Sequence, residues 1–470
     1  MLAELAQAVR ERRVSAVELV SDSLARIERH NAELNAVTAL RAEPALEDAR
    51  AVDALAVLGT EQPLAGLPLL VKDNTDVAGM VTTFGSRTRA DAAPAERSEL
   101  TVERLVQAGA VIVGRTNVPE FAFQGWTDND LVGATRNPWG LEWSPGGSSG
   151  GSGAAIAAGL AAIATGTDGG GSIRIPAALC GYAGLKPTNG LIGRSPTPSW
   201  MDLSTQGPMA TSIADLRLLL ELIRGPVHGD PTAIPRWRPG GATRPRRVLA
   251  APRTWDFGPL PSEVDEPFRA AIVALEGDLG LHVEEVLPAD LFPSVAGTEH
   301  TSGDDWFTLV AAEELGWLGR AFVREHLEAF SAPFRFTMGA ALEISLDAYL
   351  DARRRRFGYV RDTDNLLGED AVLLTPTLGY QGWLADGTLP GTSESLGGQG
   401  YNNGEANLTG HPSLSVPAGA CANGLPFGLQ ITGPRFRDDL VLEVGAMWES
   451  AHPWLLAAPG YEPFGAGVVA

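Results

Sequence analysis

Hydrophobic and polar positions follow two periods along this chain, and the switches between them mark out its elements. Ser15 with Glu18 makes a capping box ahead of an amphipathic run through Arg29, which predicts a helix. Asn31 to Thr38 reads as a turn into a short strand, and Ala45 to Leu58 as a second helix. Gly66 to Lys72 is an apolar run of strand length, with the Leu/Val content of a strand buried on both faces. The polar loop Asp73 to Ala95 follows, then a helix over Ser98 to Ala108 and a strand over Val111 to Arg115. Past residue 247 the alternation resumes, with a strand over Val248 to Ala251, a helix over Ser262 to Leu279 and a strand over His282 to Val286. Trp306 to Leu367 is mostly helical in pattern, and Ala371 to Thr375, Ser413 to Val416 and Leu425 to Ile431 read as further strands.

Strands alternating with helices of about ten or more residues predict a layered α/β fold with a largely parallel sheet. In such sheets functional groups gather past the carboxyl ends of strands, where Lys72, Asn117 and Asp168 fall. Residues 225–247 are rich in Pro, Gly and Arg and read as a surface connection. There is no internal repeat or long low-complexity tract. One domain over 1–470 is therefore expected, with a core at about 60–225 and a C-terminal half, 248–470, that completes the sheet and the substrate pocket.

One stretch breaks both periods. From Ser144 to Pro187, two glycine-serine nests around Ser148 and Ser172, 24 residues apart, flank an Ala-rich apolar segment. Glycine loses more backbone entropy on folding than any other residue, so a core would not choose this density of it for packing. Its compensating uses are tight turns and close backbone approach, as in an oxyanion hole. A flexible linker would not enclose an Ala/Ile-rich helix and end in Ile-Arg-Ile-Pro.

Composition narrows the class. The chain has 470 residues, 44% of them hydrophobic and 20% charged, which suits a soluble enzyme with a large core. A net charge of −21 argues against nucleic acid or an anionic membrane as partner. Two cysteines, Cys180 and Cys421, imply no disulfide framework and a reducing compartment. The N-terminus carries Glu4 and no long apolar segment, and the longest apolar run, Ala154 to Ala164, falls far short of the roughly 20 residues that span a bilayer. A cytoplasmic location is the expectation. Of 36 basic residues only Lys72 and Lys186 are lysine. Arginine stays protonated, whereas a buried lysine can lose its proton and act as a base. Lys72, at the end of a buried strand, is placed for that; Lys186 reads as structural.

The candidate chemistry follows by elimination. Gly146 to Gly150 matches G-x-S-x-G formally, but Glu142-Trp143-Ser144-Pro145 precedes it instead of the hydrophobic strand that a nucleophile elbow needs. The histidines, among them His411 in Thr-Gly-His-Pro-Ser, lie in no motif-like setting. No Walker A loop, dinucleotide fingerprint or metal-ligand spacing is present, so neither cofactor nor metal is expected. What remains is a serine nucleophile with lysine as base. Gly169-Gly170-Gly171-Ser172 sets several backbone N–H groups in unobstructed turns before a serine, as an oxyanion hole requires. Ser172 is then the nucleophile and Ser148 a relay between it and Lys72.

The run Gly146 to Pro176 resembles the signature of the amidase signature family along its whole length. The likeness extends through Gly184-Leu185-Lys186-Pro187-Thr188, Thr116-Asn117-Val118-Pro119-Glu120 and Asn137-Pro138-Trp139. It reaches Gly66-Leu67-Pro68 and Val71-Lys72-Asp73-Asn74 upstream, and Asn407-Leu408-Thr409-Gly410-His411-Pro412 and Gly424 to Gln430 downstream. The resemblance implies a large, mixed, mostly parallel twisted sheet covered by helices on both faces. It also implies a Ser–cis-Ser–Lys triad of nucleophile Ser172, bridging Ser148 after a cis peptide, and base Lys72. The amides of Gly169, Gly170, Gly171 and Ser172 would form the oxyanion hole. Asp168 and Arg174 would orient the loop by charge pairing, with Ser149 as a hydrogen-bonding neighbour. Gly169 departs mildly from the family, which points to a slightly looser loop.

The activity implied is hydrolysis of linear or cyclic amides to acid and amine. A carbamate or ester hydrolase with the same site is an alternative, as is a glutamine-dependent amidotransferase A-type subunit in a tRNA-bound complex. Ala122, Gly125, Trp126 and Thr127, just before the serine motif, are the expected substrate contacts. The aromatic-rich region Trp306 to Phe336, more a core stripe than a binding wall, could contribute to an apolar pocket. Together these favour an uncharged, partly apolar substrate. The partners expected are a small-molecule amide and at most a second copy of the chain, with no nucleic acid and no membrane.

Overall fold

The computed structural model describes residues 1–234, 240–241, 244–254, 259–296, 300–390 and 402–469. Residues 235–239 and 242–243 of the expected connection lie outside the described residues.

Local signals place most elements within a few residues of expectation. Ser15 Oγ accepts from the Glu18 N–H, and the Glu18 carboxylate accepts from the Ser15 N–H, so the box caps the helix Ala16–Leu34. That helix outruns the amphipathic stretch and stops where Asn35 turns left-handed (φ 49°). The strand Pro68–Lys72 is buried at all five positions and lies between two parallel neighbours, with Lys72 opposite Thr116 and Leu70 opposite Ala164. It belongs to a four-stranded sheet ordered Val37–Leu40, Val111–Thr116, Pro68–Lys72, Ile163–Ala164.

A second sheet of seven strands runs in the order Val283–Glu285, Arg247–Ala250, Ala371–Pro376, Pro426–Thr432, Ser413–Ala420, Ala183–Lys186, Met209–Ala210. A ribbon of Gly166–Asp168 against Thr205–Gly207 completes the set. The α/β class and the mixed sheet are as expected, but the parallel share is smaller. Among the described residues, four of the ten registered strand pairs are parallel and six antiparallel. The reason lies in the connections. Ser413–Ala420 turns into Pro426–Thr432 within a few residues, which forces an antiparallel hairpin, and these two strands fill the middle of the larger sheet.

The glycine-rich stretch is packed more densely than expected. The helix Gly150–Ala157 is buried at every position. A Cβ on Gly151 would sit 2.6 Å from the Ala36 carbonyl oxygen and 2.7 Å from that of Asn117, and one on Gly153 would sit 2.9 Å from the Tyr182 hydroxyl. Glycine is therefore used here for packing: the helix lies so close to its neighbours that no side chain fits.

Candidate active site

Lys72 ends its strand with a fully buried amine-bearing side chain. Nζ donates to Ser148 Oγ and to Thr167 Oγ1, each at 2.8 Å, while its backbone N–H donates to Thr165 Oγ1 at 2.9 Å. Burial drives the lysine pKa well below its ordinary value, and the nearby Asp168 only partly opposes this. A neutral amine can accept a proton, which an ordinary lysine at neutral pH cannot. The peptide bond Gly147–Ser148 is cis. Ser148 and Ser172 open onto the same cavity, together with Thr167 and Gly169.

The loop before Ser172 is anchored from below. Asp168 and Arg174 are both fully buried and pair at 2.8 Å. Burial opposes ionisation of Asp168, but the Arg174 charge and its hydrogen bonds outweigh it and hold the carboxyl below the usual carboxylate range. Asp168 also accepts the Gly171 N–H at 2.8 Å and the Ile173 N–H at 3.2 Å. This bears on one expectation: the Gly171 amide is committed to Asp168 rather than free for a substrate oxygen. Gly171 itself takes φ +112°, a conformation that side-chain-bearing residues rarely adopt. Arg174 reaches on to Asn407 Oδ1 at 2.7 Å and Gln430 Oε1 at 3.0 Å, tying the loop to the C-terminal half.

Gly169 does not loosen this loop. A Cβ there would strike the Trp200 ring, and one on Gly170 would strike the Trp306 ring, so two indoles clamp the segment. Trp306 Nε1 donates to the Gly169 carbonyl at 2.7 Å. The Ser149 N–H donates to the Ser172 carbonyl at 3.2 Å, and Ser152 Oγ bonds the Thr165 carbonyl at 2.8 Å, so both serines tie backbone together.

The cavity, about 210 Å³, is lined by only one of the four expected substrate contacts, Ala122. Gly125, Trp126 and Thr127 are not on its wall. Thr127 Oγ1 donates to the Gly146 carbonyl at 2.8 Å, buttressing the turn that carries Ser148, and Trp126 packs against Trp383 with ring centroids 5.8 Å apart. Nearness in sequence to the serine motif put them beneath the site rather than in it. The aromatic stripe divides: Phe330 and Phe334 are core, whereas Trp317 faces the cavity with Phe84, Phe121 and Trp200. The wall is not uniformly uncharged either, since Asp76, Glu99, Arg194 and Glu314 lie on it.

Three other residues resolve as structural. Asn117 bonds the Gly133 carbonyl and Thr135 Oγ1, each at 2.9 Å, and shapes the following loop. His411 is buried between Thr409 Oγ1, at 2.9 Å, and Asp364, at 3.3 Å, off the cavity. Lys186 donates to the Pro187 carbonyl at 2.8 Å and Asn189 Oδ1 at 3.0 Å. Cys180 and Cys421 are free and buried. Among the described residues no cluster of His, Cys, Asp or Glu could hold a metal ion, and no helix is long and apolar enough to cross a membrane.

Sequence reasoning missed Thr167 and Trp306. Thr165 and Thr167 carried a usable signal: two residues apart in extended chain, they present hydroxyls to the same side, where Lys72 lies. Trp306 carried none beyond membership of the aromatic stripe.

The Amidase family model matches residues 18–442. The A-type chain of the glutamyl-tRNA(Gln) amidotransferase from Chromohalobacter salexigens is 35% identical over 481 aligned positions, covering 98% of each chain. Among solved structures, a bacterial aryl acylamidase superposes with a TM-score of 0.84 at 28% identity, covering 96% of this chain and 95% of its own. A 6-aminohexanoate cyclic dimer hydrolase, complexed with substrate, gives 0.84 at 29% identity, covering 98% of each. With the match running nearly end to end and the signature enzymes sharing its fold, the chain belongs to the amidase signature family.

Proposed function

We propose that this protein hydrolyses carboxylic amides through an acyl-enzyme on Ser172. The observation that carries the reading is the 2.8 Å contact from the buried Lys72 Nζ to Ser148 Oγ, on a cavity that Ser172 also lines. Neutral Lys72 takes the Ser172 proton through Ser148, and Ser172 Oγ attacks the carbonyl carbon. The developing oxyanion is met by the amides of Gly169, Gly170 and Ser172. The C–N bond breaks as the relay returns the proton to the departing amine. Water then attacks the acyl ester, its proton follows the same path, and the acid leaves. The aromatic wall favours a substrate with an apolar part. The setting proposed is cytoplasmic, with a small-molecule amide as the partner and the chain alone or as a homodimer.

A panel of anilides, aliphatic amides, carbamates and esters on the purified chain tests this, with Ser172→Ala as the blank. Loss of all hydrolysis in the variant is expected, and a serine-directed probe should label the peptide holding Ser172. Full activity in pure Ser172→Ala would overturn the assignment. Faster turnover of carbamates or esters would move the substrate class without moving the site. A second reading, an A-type chain of an amidotransferase, is favoured by the 35% identity to such a chain over 98% of this one. Hydrolysis of a simple anilide by the isolated chain decides against it; ammonia release from glutamine only with partner chains decides for it.

A further inference from the structure

Charge is unevenly spread over the cavity onto which Ser172 opens. Its lining residues include three carboxyl side chains, Asp76, Glu99 and Glu314, against one cation, Arg194. Arg194 is already engaged: it donates to the Ser204 carbonyl at 2.7 Å and Thr232 Oγ1 at 2.9 Å, and its Nε lies 4.0 Å from Asp230. The carboxyls receive hydrogen bonds from neutral donors. Asp76 accepts from Thr82 Oγ1 at 2.6 Å, Glu314 from Trp200 Nε1 at 2.7 Å, and Glu99 from Gln206 Nε2. The rings of Phe121, Trp200 and Trp317 line the same cavity.

We infer that the cavity selects amides bearing an alkylammonium group, and that Glu99 and Glu314 determine this preference. The inference rests on the hydrolase reading only for the word amide; the binding preference stands apart from it. A carboxyl removed from water ionises at little cost only when a cation accompanies it. Burial and the nearby Asp76 raise Glu99 to about 8, the Arg194 charge opposing them only in part, and burial raises Glu314 to about 7. An alkylammonium supplies the missing charge, and aromatic faces attract the same cation through their quadrupoles. A neutral chain gains only the apolar contact. A carboxylate meets three carboxyl side chains against a single cation, Arg194, that already bonds Ser204 and Thr232.

Calorimetric titration of the full chain with pentylammonium, 1-pentanol and pentanoate tests this. Pentylammonium should bind at least about tenfold more tightly than 1-pentanol, with pentanoate weakest. In Glu314→Gln and in Glu99→Gln, each checked for folding by its melting curve, that gap should shrink to about twofold or less. Should both variants unfold, the order of the three ligands on the unaltered chain still decides. Equal binding of pentylammonium and 1-pentanol, pentanoate as the tightest ligand, no binding of any, or a gap that survives both substitutions each overturns the inference. Assaying the unaltered chain for amide hydrolysis beside these titrations separates the two readings. Ammonium preference without amide hydrolysis leaves this inference standing and sinks the hydrolase, and hydrolysis without ammonium preference does the reverse.

Discussion

The indole N–H of Trp306 donates to the carbonyl oxygen of Gly169 at 2.7 Å, so a side chain 137 residues downstream fixes one end of the loop that leads into Ser172. The same ring packs on Gly170, where a Cβ would collide with it. In the proposed mechanism oxyanion amides act only when their direction is set before the reaction, and this contact would help to set it. Trp306→Phe keeps most of the ring and removes the donor. Steady-state kinetics on an anilide should give a kcat lower by about tenfold with KM changed less than about twofold. A raised KM at unchanged kcat would place Trp306 in substrate binding instead.

Lys72 must be neutral to act as base, and burial lowers its pKa well below that of a free lysine. Activity should therefore fall as pH drops through the folded-state pKa of Lys72, and the profile should lean alkaline. Rates measured from pH 5 to pH 10 check this. A profile flat down to about pH 5 rules out Lys72 as the base.

The same burial has a cost in stability. Below the ordinary lysine pKa the unfolded chain binds a proton that folded Lys72 releases, so folding is penalised there, and stability from this group rises with pH. Lys72→Met removes the penalty while keeping the volume. It should be inactive yet melt no lower than the unaltered chain, as scanning calorimetry would reveal. A large drop in melting temperature would mean that the hydrogen bonds to Ser148 and Thr167 outweigh the desolvation.

Asp168 and Arg174 form an ion pair with no solvent exposure on either side. Arg174→Met strands a buried carboxylate that also holds the Gly171 and Ile173 amides, so it should cost about 3–5 kcal/mol in denaturant unfolding and abolish activity. Adding Asp168→Asn should recover part of the stability without restoring the rate. Failure of the double variant to regain stability would shift the loss from the stranded charge to packing around Arg174.

What the sequence determined by itself is local. Capping at Ser15 and Glu18, the buried strand that ends in Lys72 and the two serine nests were legible because each rests on residues close together in the chain. The scarcity of lysine also singled out Lys72 before any fold was known. Tertiary structure decided what faces what. Thr127 turned beneath the Ser148 turn, the Gly171 amide turned to Asp168, and the glycines of Gly150–Ala157 proved to be packing residues. Those outcomes depend on partners brought together from distant segments, such as Arg174 with Asn407 and Gln430. So does the acidic wall, where Glu99 and Glu314 meet on one cavity although 215 positions separate them (314 − 99). Periodicity reports which face of an element is apolar; only packing decides which neighbour that face meets.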